Sequence, residues 1–288
     1  MTVKGRAPAK INLALHVTGQ RDDGYHLLES LVVFAEHADR LTISAADTLS
    51  LRVSGAFAKG VPTDGSNLVL KAATLLQRKR GVGAGASIIL EKNLPHGGGI
   101  GGGSSDAATA LRLLAELWQV EPLSAAQALE LGADVPVCMH APDPCFMGGI
   151  GEVVEPATPL PKFWLVLVNP GVGVPTKAVF EQYDKLHGSN RLGLAPLPDN
   201  TDVQMLEAWL LGQRNDLTYI ASGAGLAPVI GTVLQVIRDS IGSDCAEMSG
   251  SGSTCWGYCK TQDAAEIARD SIAEMHPGWW VQVSRFGG

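Results

Sequence analysis

Basic residues are in the minority in this sequence: 22 Lys and Arg stand against 29 Asp and Glu, a formal charge of −7. That deficit argues against a general nucleic-acid binder, which carries an overall or sharply local basic excess. A single nucleotide can still be held by backbone amides and one or two lysines. Cysteine is sparse as well. Cys138, Cys145, Cys245, Cys255 and Cys259 make an odd number, with no CxxC pair and no histidine pair at zinc spacing, so neither a disulfide framework nor a zinc site is expected. We read them as thiols in a reducing compartment. Long apolar runs are missing too: Phe163 to Val168, near the chain centre, is far short of a membrane span. The opening residues Met1 to Pro8 lack the apolar core of a signal peptide. A cytoplasmic protein that uses neither membrane nor nucleic acid is the expectation. No low-complexity stretch or internal repeat is visible, and the composition, 45% hydrophobic and 18% charged, is that of a folded chain of roughly two domains.

The first third reads as short strands, Ile11 to Val17, Leu31 to Phe34, Leu41 to Ser44, Leu49 to Val53 and Ser87 to Leu90, interrupted by a helix from Leu68 to Lys79. Ala107, Ala110, Leu111, Leu114, Leu117 and Trp118 then recur at helical spacing, and a second helix runs from Ser124 to Leu131. The Pro-rich passage Pro156 to Pro161 precedes the strand Phe163 to Val168 and marks the expected boundary between a domain of residues 1–158 and one of residues 159–288. Beyond it we expect helices over Thr176 to Leu186, Val203 to Leu211, Ala224 to Ile241 and Ala264 to Met275, strands flanking Gly250, and a last strand, Trp279 to Ser284. That order indicates an α+β second half.

The densest signal is Pro95-His-Gly-Gly-Gly-Ile-Gly-Gly-Gly-Ser-Ser105, between a strand and a helix. Six glycines in seven positions let the backbone approach a ligand closely. Unpaired N–H groups at the start of the following helix, backed by its dipole, make an anion site, and Ser104 or Ser105 can cap that helix. The letters Gly97-x-Gly99-x-x-Gly102 satisfy a dinucleotide fingerprint, but the next element is another helix and not the second strand of a βαβ unit. A Walker loop needs Gly-Lys-Ser/Thr, whereas Gly103 is followed by Ser104. With no lysine in the cradle, positive charge must come from elsewhere. Lys10 and Asn12 share one face of a short strand in Pro8-Ala-Lys-Ile-Asn-Leu13. Met248-Ser-Gly-Ser-Gly-Ser-Thr254 can form a second amide-rich loop, or simply a turn.

These three segments, in this order, resemble the motifs of the galactokinase, homoserine kinase, mevalonate kinase and phosphomevalonate kinase (GHMP kinase) superfamily. Thr18 to His26, Gly132-Ala-Asp-Val-Pro136, Gly149-Ile-Gly-Glu152, Pro170 to Thr176 and Asn215-Asp-Leu217 extend the likeness to the branch that phosphorylates cytidine diphosphate methylerythritol on the methylerythritol phosphate route to isoprenoid precursors. The resemblance covers nearly the whole chain. It implies an α+β, two-domain GHMP kinase fold, with a ribosomal protein S5 domain 2-like N-terminal domain and a ferredoxin-like C-terminal domain. It implies ATP and Mg²⁺, with Asp134 as general base and Lys10 as its charge-stabilising partner. Pro95, His96, Gly97, Gly98, Gly99, Ile100, Gly101, Gly102, Gly103, Ser104 and Ser105 would bind the nucleotide phosphates, and Asn67 would lie on the adenine side. Tyr25 and His26 would hold the cytosine, with Phe180 closing the sandwich. Asn12 would assist the erythritol end, and Gly250, Ser251 and Gly252 would complete the substrate site. For the metal, Ser104 or Ser105 and waters would serve. The sequence departs from the family at Thr218, where an acidic residue is common, and at His96, often methionine. The polar stretch His187 to Asp202 matches no motif. A homoserine- or mevalonate-type kinase would lack the Tyr25-His26 turn, and an inactive superfamily member would lack Lys10 or Asp134.

Overall fold

A computed structural model describes residues 1–186, 192–223 and 225–288. Residues 187–191 of the polar stretch, and Ala224, where the sequence suggests a helix start, lie outside the described residues. In chain order the elements are β1 (Thr2–Gln20), β2 (His26–Ala46), β3 (Ser50–Ser54), α1 (Leu68–Arg80), β4 (Gly85–Glu91), α2 (Gly102–Trp118), α3 (Ala125–Ala128), a 3-10 turn (Leu129–Leu131) and α4 (Asp134–Cys138). There follow β5 (Cys145–Gly149), β6 (Val153–Pro156), β7 (Phe163–Asn169), α5 (Thr176–Leu186), α6 (Val203–Leu211), α7 (Thr218–Ser222), α8 (Val229–Ile241), β8 (Ala246–Met248), β9 (Cys255–Cys259), α9 (Gln262–Met275) and β10 (Trp280–Phe286). All five cysteines are buried thiols. Among the described residues no helix is long and apolar enough to cross a membrane.

The chain forms two compact units that interleave in sequence. The first comprises Met1–Lys10, His37–His96 and Gly101–Ala141, the second Ile11–Glu36, Gly97–Ile100 and Pro142–Gly288. The Pro156–Pro161 passage therefore lies within the second unit.

In the first unit, Arg40 to Ala46 of β2 pair antiparallel with β4, and β3 pairs parallel with β4. Where the sequence suggests two separate strands, Leu31 to Phe34 and Leu41 to Ser44, β2 is continuous. The reason is Asp39: it falls on the same alternate face as Leu41 and Ile43, and all three are buried. Its charge is met inside, not turned to solvent. Helix α1 begins at Asn67, whose side chain accepts the Val69 N–H, and stops at Gly81, which takes the left-handed conformation (φ 66°) that ends helices. Arg78, Lys79 and Arg80 in its last turn suit the negative end of the dipole. Helix α2 buries Ala107, Ala110, Leu111, Leu114 and Leu117, most of the stripe read from the sequence.

In the second unit, Leu28 to Val32 of β2 pair with β5, which pairs in turn with β6. A separate antiparallel sheet has the order β10-β7-β9-β8. With α8 between β7 and β8 and α9 between β9 and β10, it is the ferredoxin-like arrangement. Val166 and Val168 of β7, Ile230, Val233 and Ile237 of α8, and Ile272 of α9 pack into one core with Leu15 and Val17 of β1. The helix expected over Ala224 to Ile241 starts only at Val229, after Pro228 at its N-cap position. Pro has no N–H to lose there, and its fixed φ suits a helix start.

Candidate active site

The first unit joins Lys10 to Asp134. Lys10 sits on β1 with its side chain 4% exposed, Asp134 opens α4 with its side chain 40% exposed, and Lys10 Nζ donates to Asp134 Oδ1 at 3.1 Å. The Lys10 stem lies against Gly101, where an added Cβ would meet Lys10 Cβ and Cε at 3.2 Å and Cys138 Sγ at 3.7 Å. Gly101 has φ 61°, so both its conformation and its neighbours require glycine. The Ser105 N–H donates to the Gly101 carbonyl at 2.8 Å, the first turn of α2. An ammonium, which the glycine loop itself lacks, thus stands on β1 close to the N-terminal end of a 17-residue helix.

A second buried lysine, Lys92, lies just beyond β4 and pairs with Asp39 and with Asp106 Oδ2, the latter at 2.7 Å. Burial would lower the Lys92 pKa, but the two carboxylates outweigh it and hold it above its ordinary value. Burial, together with the nearby Asp39 charge, pushes Asp106 up to about 7 against the pull of Lys92. Two carboxylates share one ammonium, so one of them is driven toward its neutral form.

In the second unit, the middle of the glycine loop carries the 249–254 loop. Ser249 Oγ donates to the Gly99 carbonyl at 3.1 Å, and the Thr254 N–H to the Gly98 carbonyl at 2.9 Å. Gly99 has φ 73°, and a Cβ there would press on the Ser249 carbonyl oxygen and reach Gly252 N at 2.8 Å. The Asn12 N–H donates to Ser249 Oγ at 3.1 Å, its Nδ2 to Ser30 Oγ at 2.7 Å, and its carbonyl accepts from Trp256 Nε1. Asn215 Nδ2 donates to the carbonyls of Met248 and Gly250, each at 2.7 Å, and Thr176 Oγ1 lies 2.8 Å from Ser251 Oγ. The distant serine-glycine segment is therefore a braced loop docked on the glycine loop, more than a simple turn.

The Tyr25-His26 turn also lies in the second unit. His26 lies against Phe180 with ring centroids 4.6 Å apart and planes at 22°, edge-on to Tyr183 at 5.9 Å. His26 Nε2 is 2.6 Å from Asp184 Oδ1. Tyr25 is 60% exposed, its ring open on the turn.

Of the remaining predicted residues, Asn67 caps α1 and donates Nδ2 to the Pro62 carbonyl at 2.7 Å. His96 is exposed with Nε2 3.2 Å from the Lys59 carbonyl, while Pro95 and Ile100 are buried. Asp184, Lys92, Asp39 and Asp106 escape the sequence reading. Asp184 had a usable signal: it stands four residues after Phe180 on a predicted helix, hence on the same face.

Helix α2 begins after Gly101 with no side-chain cap, so Ser104 and Ser105 lie inside its first turn and do not cap it as the sequence suggests. A glycine loop between a strand and a long helix, together with a ferredoxin-like sheet, defines a GHMP-type small-molecule kinase, and the GHMP kinases N terminal domain family matches residues 67–149. The 4-diphosphocytidyl-2-C-methyl-D-erythritol kinase of Jannaschia sp. (strain CCS1) is 51% identical over 97% of this chain and 96% of its own length. That of Paramagnetospirillum magneticum (strain ATCC 700264 / AMB-1) is 48% identical over 96% and 95%. A crystal structure of 4-(cytidine 5'-diphospho)-2C-methyl-D-erythritol kinase, 32% identical, matches with a TM-score of 0.76 over 99% of this chain and 100% of that one. L. major mevalonate kinase in complex with R-mevalonate, 17% identical, shares the fold with a TM-score of 0.69 over 99% and 96%. The chain belongs to the 4-diphosphocytidyl-2-C-methyl-D-erythritol kinase family.

Proposed function

We propose that this kinase transfers the γ-phosphate of ATP to the 2-hydroxyl of 4-(cytidine 5'-diphospho)-2-C-methyl-D-erythritol, on the methylerythritol phosphate route to isoprenoid precursors. The observation that carries the reading is the Lys10–Asp134 contact of 3.1 Å beside the start of α2, taken with the substrate named for the full-length relatives. Phosphoryl transfer through a loose transition state asks a protein mainly to align the acceptor with the γ-phosphate and to stabilise charge. Asp134 has one oxygen on Lys10 and a half-exposed carboxylate. Its other oxygen takes the hydroxyl proton, late in the transfer, since a carboxylate is a weak base toward an alcohol. Lys10 orients Asp134 through that contact and offsets the developing negative charge.

The amides of the loop from Pro95 to Ser105, with the dipole of α2 behind them, cradle the phosphates, and Asn67 borders the adenine. Gly250, Ser251 and Gly252 contact the acceptor, and Asn12 assists its erythritol end. The exposed Tyr25 ring stacks on the cytosine, and His26, whose face is covered by Phe180, offers it an edge. A Mg²⁺ ion fits as a metal carried mainly by phosphate and water oxygens. The described residues hold no cluster of three metal-ligating side chains, while Ser105 Oγ is buried without a hydrogen-bond partner. Ser105, with Ser104 beside it, would hold the ion, which would neutralise phosphate charge. ADP release measured with the cytidine substrate, homoserine and mevalonate tests the assignment. Turnover with either of the last two and none with the first would remove it and leave the kinase class intact.

A further inference from the structure

The buried cluster of Asp39, Lys92 and Asp106 in the first unit takes no part in the chemistry above. Its connections follow the chain. Asp39 Oδ1 accepts the N–H groups of Asn93, at 2.5 Å, and Leu94, at 2.9 Å, the last residues before the glycine loop. Its Oδ2 meets Lys92 Nζ, which also reaches Asp106 Oδ2, in the first turn of α2 just after the loop. Gly102 rests on the cluster, since an added Cβ would stand 3.6 Å from Lys92 Nζ and 3.8 Å from Asp39 Oδ2. One set of charged contacts thus fixes the entry and the exit of the loop to each other and to β2.

Stability alone is a poor explanation for such a cluster. Burying an ammonium and two carboxyl groups costs desolvation that well-packed apolar side chains would avoid. The set is also incompletely satisfied, because Asp106 Oδ1 is buried with no hydrogen-bond partner. A violation of packing economy at this position is the signature of a group kept for function. The loop itself supplies the need. Six glycines give it the largest backbone freedom available to a chain, and amides that must all point at one anion bind it well only when held in place beforehand.

We propose that Asp39, Lys92 and Asp106 are positioning residues for nucleotide phosphate: a buried clamp that holds both ends of the glycine loop so that its amides are preorganised. The inference rests on the reading that this loop binds ATP. Lys92→Met and Asp106→Ala are expected to raise the KM for ATP and the Kd for ADP at least tenfold, with kcat at saturating ATP and the KM for the acceptor within about threefold of the parent. Asp106→Asn, which keeps an acceptor oxygen for Lys92, regains most of the affinity that Asp106→Ala loses. A merely structural cluster would lower Tm and leave the KM for ATP alone, and a folded Lys92→Met or Asp106→Ala protein with an unchanged KM overturns the clamp. Should both variants fail to fold, hydrogen exchange on the parent decides: the Asn93 and Leu94 amides, bonded to Asp39, and the Ser105 amide, bonded to the Gly101 carbonyl, are expected to be protected without nucleotide. Exchange that slows only on adding ADP refutes preorganisation. A parent protein that binds ADP not at all would instead overturn the reading of the loop, and the clamp with it.

Discussion

Replacing Asp134 by Asn removes the proposed proton acceptor and almost nothing else, because the amide oxygen can still accept from Lys10 Nζ across the 3.1 Å contact. A general base contributes roughly a hundred- to ten-thousandfold. Asp134 is a weak base acting late, so the lower half of that range applies, about a hundred- to a thousandfold in kcat, or about 3–4 kcal/mol of transition-state stabilisation at about 1.4 kcal/mol per tenfold. The stability cost is much smaller. Truncating one partner of a fully buried ion pair costs about 3–5 kcal/mol, but Asp134 is 40% exposed and water screens the ammonium left behind. About 1 kcal/mol remains, a Tm change of a few degrees for a chain of this size. Steady-state kinetics at saturating ATP and acceptor, alongside thermal denaturation, should therefore find kcat collapsed, both KM values within about threefold and a folded protein. Lys10→Met should lower kcat comparably. The double variant should be little worse than the poorer single one, since the two side chains act as a unit. An Asn variant within fivefold of the parent kcat would refute the proton-acceptor role and leave Lys10 as an electrostatic group only.

The other expectations are narrower. Asp184 accepts from His26 Nε2 at 2.6 Å, which fixes the ring and leaves Nδ1 for the cytosine. Asp184→Asn should raise the acceptor KM about fivefold, the effect of roughly 1 kcal/mol for a half-exposed charged hydrogen bond. It should also narrow the preference for cytidine over uridine diphosphate substrate; unchanged preference would separate Asp184 from recognition. Gly99→Ala combines a left-handed residue, costing about 1–2 kcal/mol, with a clash against the Ser249–Gly252 backbone, and its Tm should fall by at least several degrees. Glu247 has its pKa raised by burial, against the opposing hydroxyl of Thr218 and the amides of Met248 and Asn215. A carboxyl raised in the folded state contributes stability that is present below its ordinary pKa and lost as pH rises through the folded value. Glu247→Gln should thus gain Tm relative to the parent as pH rises from 5 to 8, and a constant difference would contradict the assignment.

Which parts were legible in the sequence follows from how local each signal is. The sequence places a helix near Thr176 to Leu186, the observed span of α5, and α2 follows from a stripe of Ala and Leu that needs no distant partner. The sequence reads β2 as two strands, Leu31 to Phe34 and Leu41 to Ser44, where the structure has one. Only the structure shows Asp39 turned inward onto Lys92 and two backbone amides. The short strands β5 and β6 are absent from the sequence reading; β5 pairs with Leu28 to Val32 of β2, and β6 with β5.

The same distinction separates the two buried lysines. Lys10 has a partner 124 positions away, and neither periodicity nor spacing connects them; the resemblance of two short motifs did. Lys92 lies in no motif, and its partners, 53 residues before it and 14 after it, are a charged residue inside a strand and one in a helix turn, each of which alone reads as a solvated side chain. What makes them informative is burial, which turns three ordinary charges into a costly and incompletely satisfied cluster. Lys10 can be argued from chemistry that needs a cation at the reacting atoms. Lys92 can be argued only from position, because it touches the ends of the glycine loop and no reacting group. The two should therefore fail differently, Lys10→Met in kcat and Lys92→Met in the KM for ATP, and that separation distinguishes a catalytic ammonium from a positioning one.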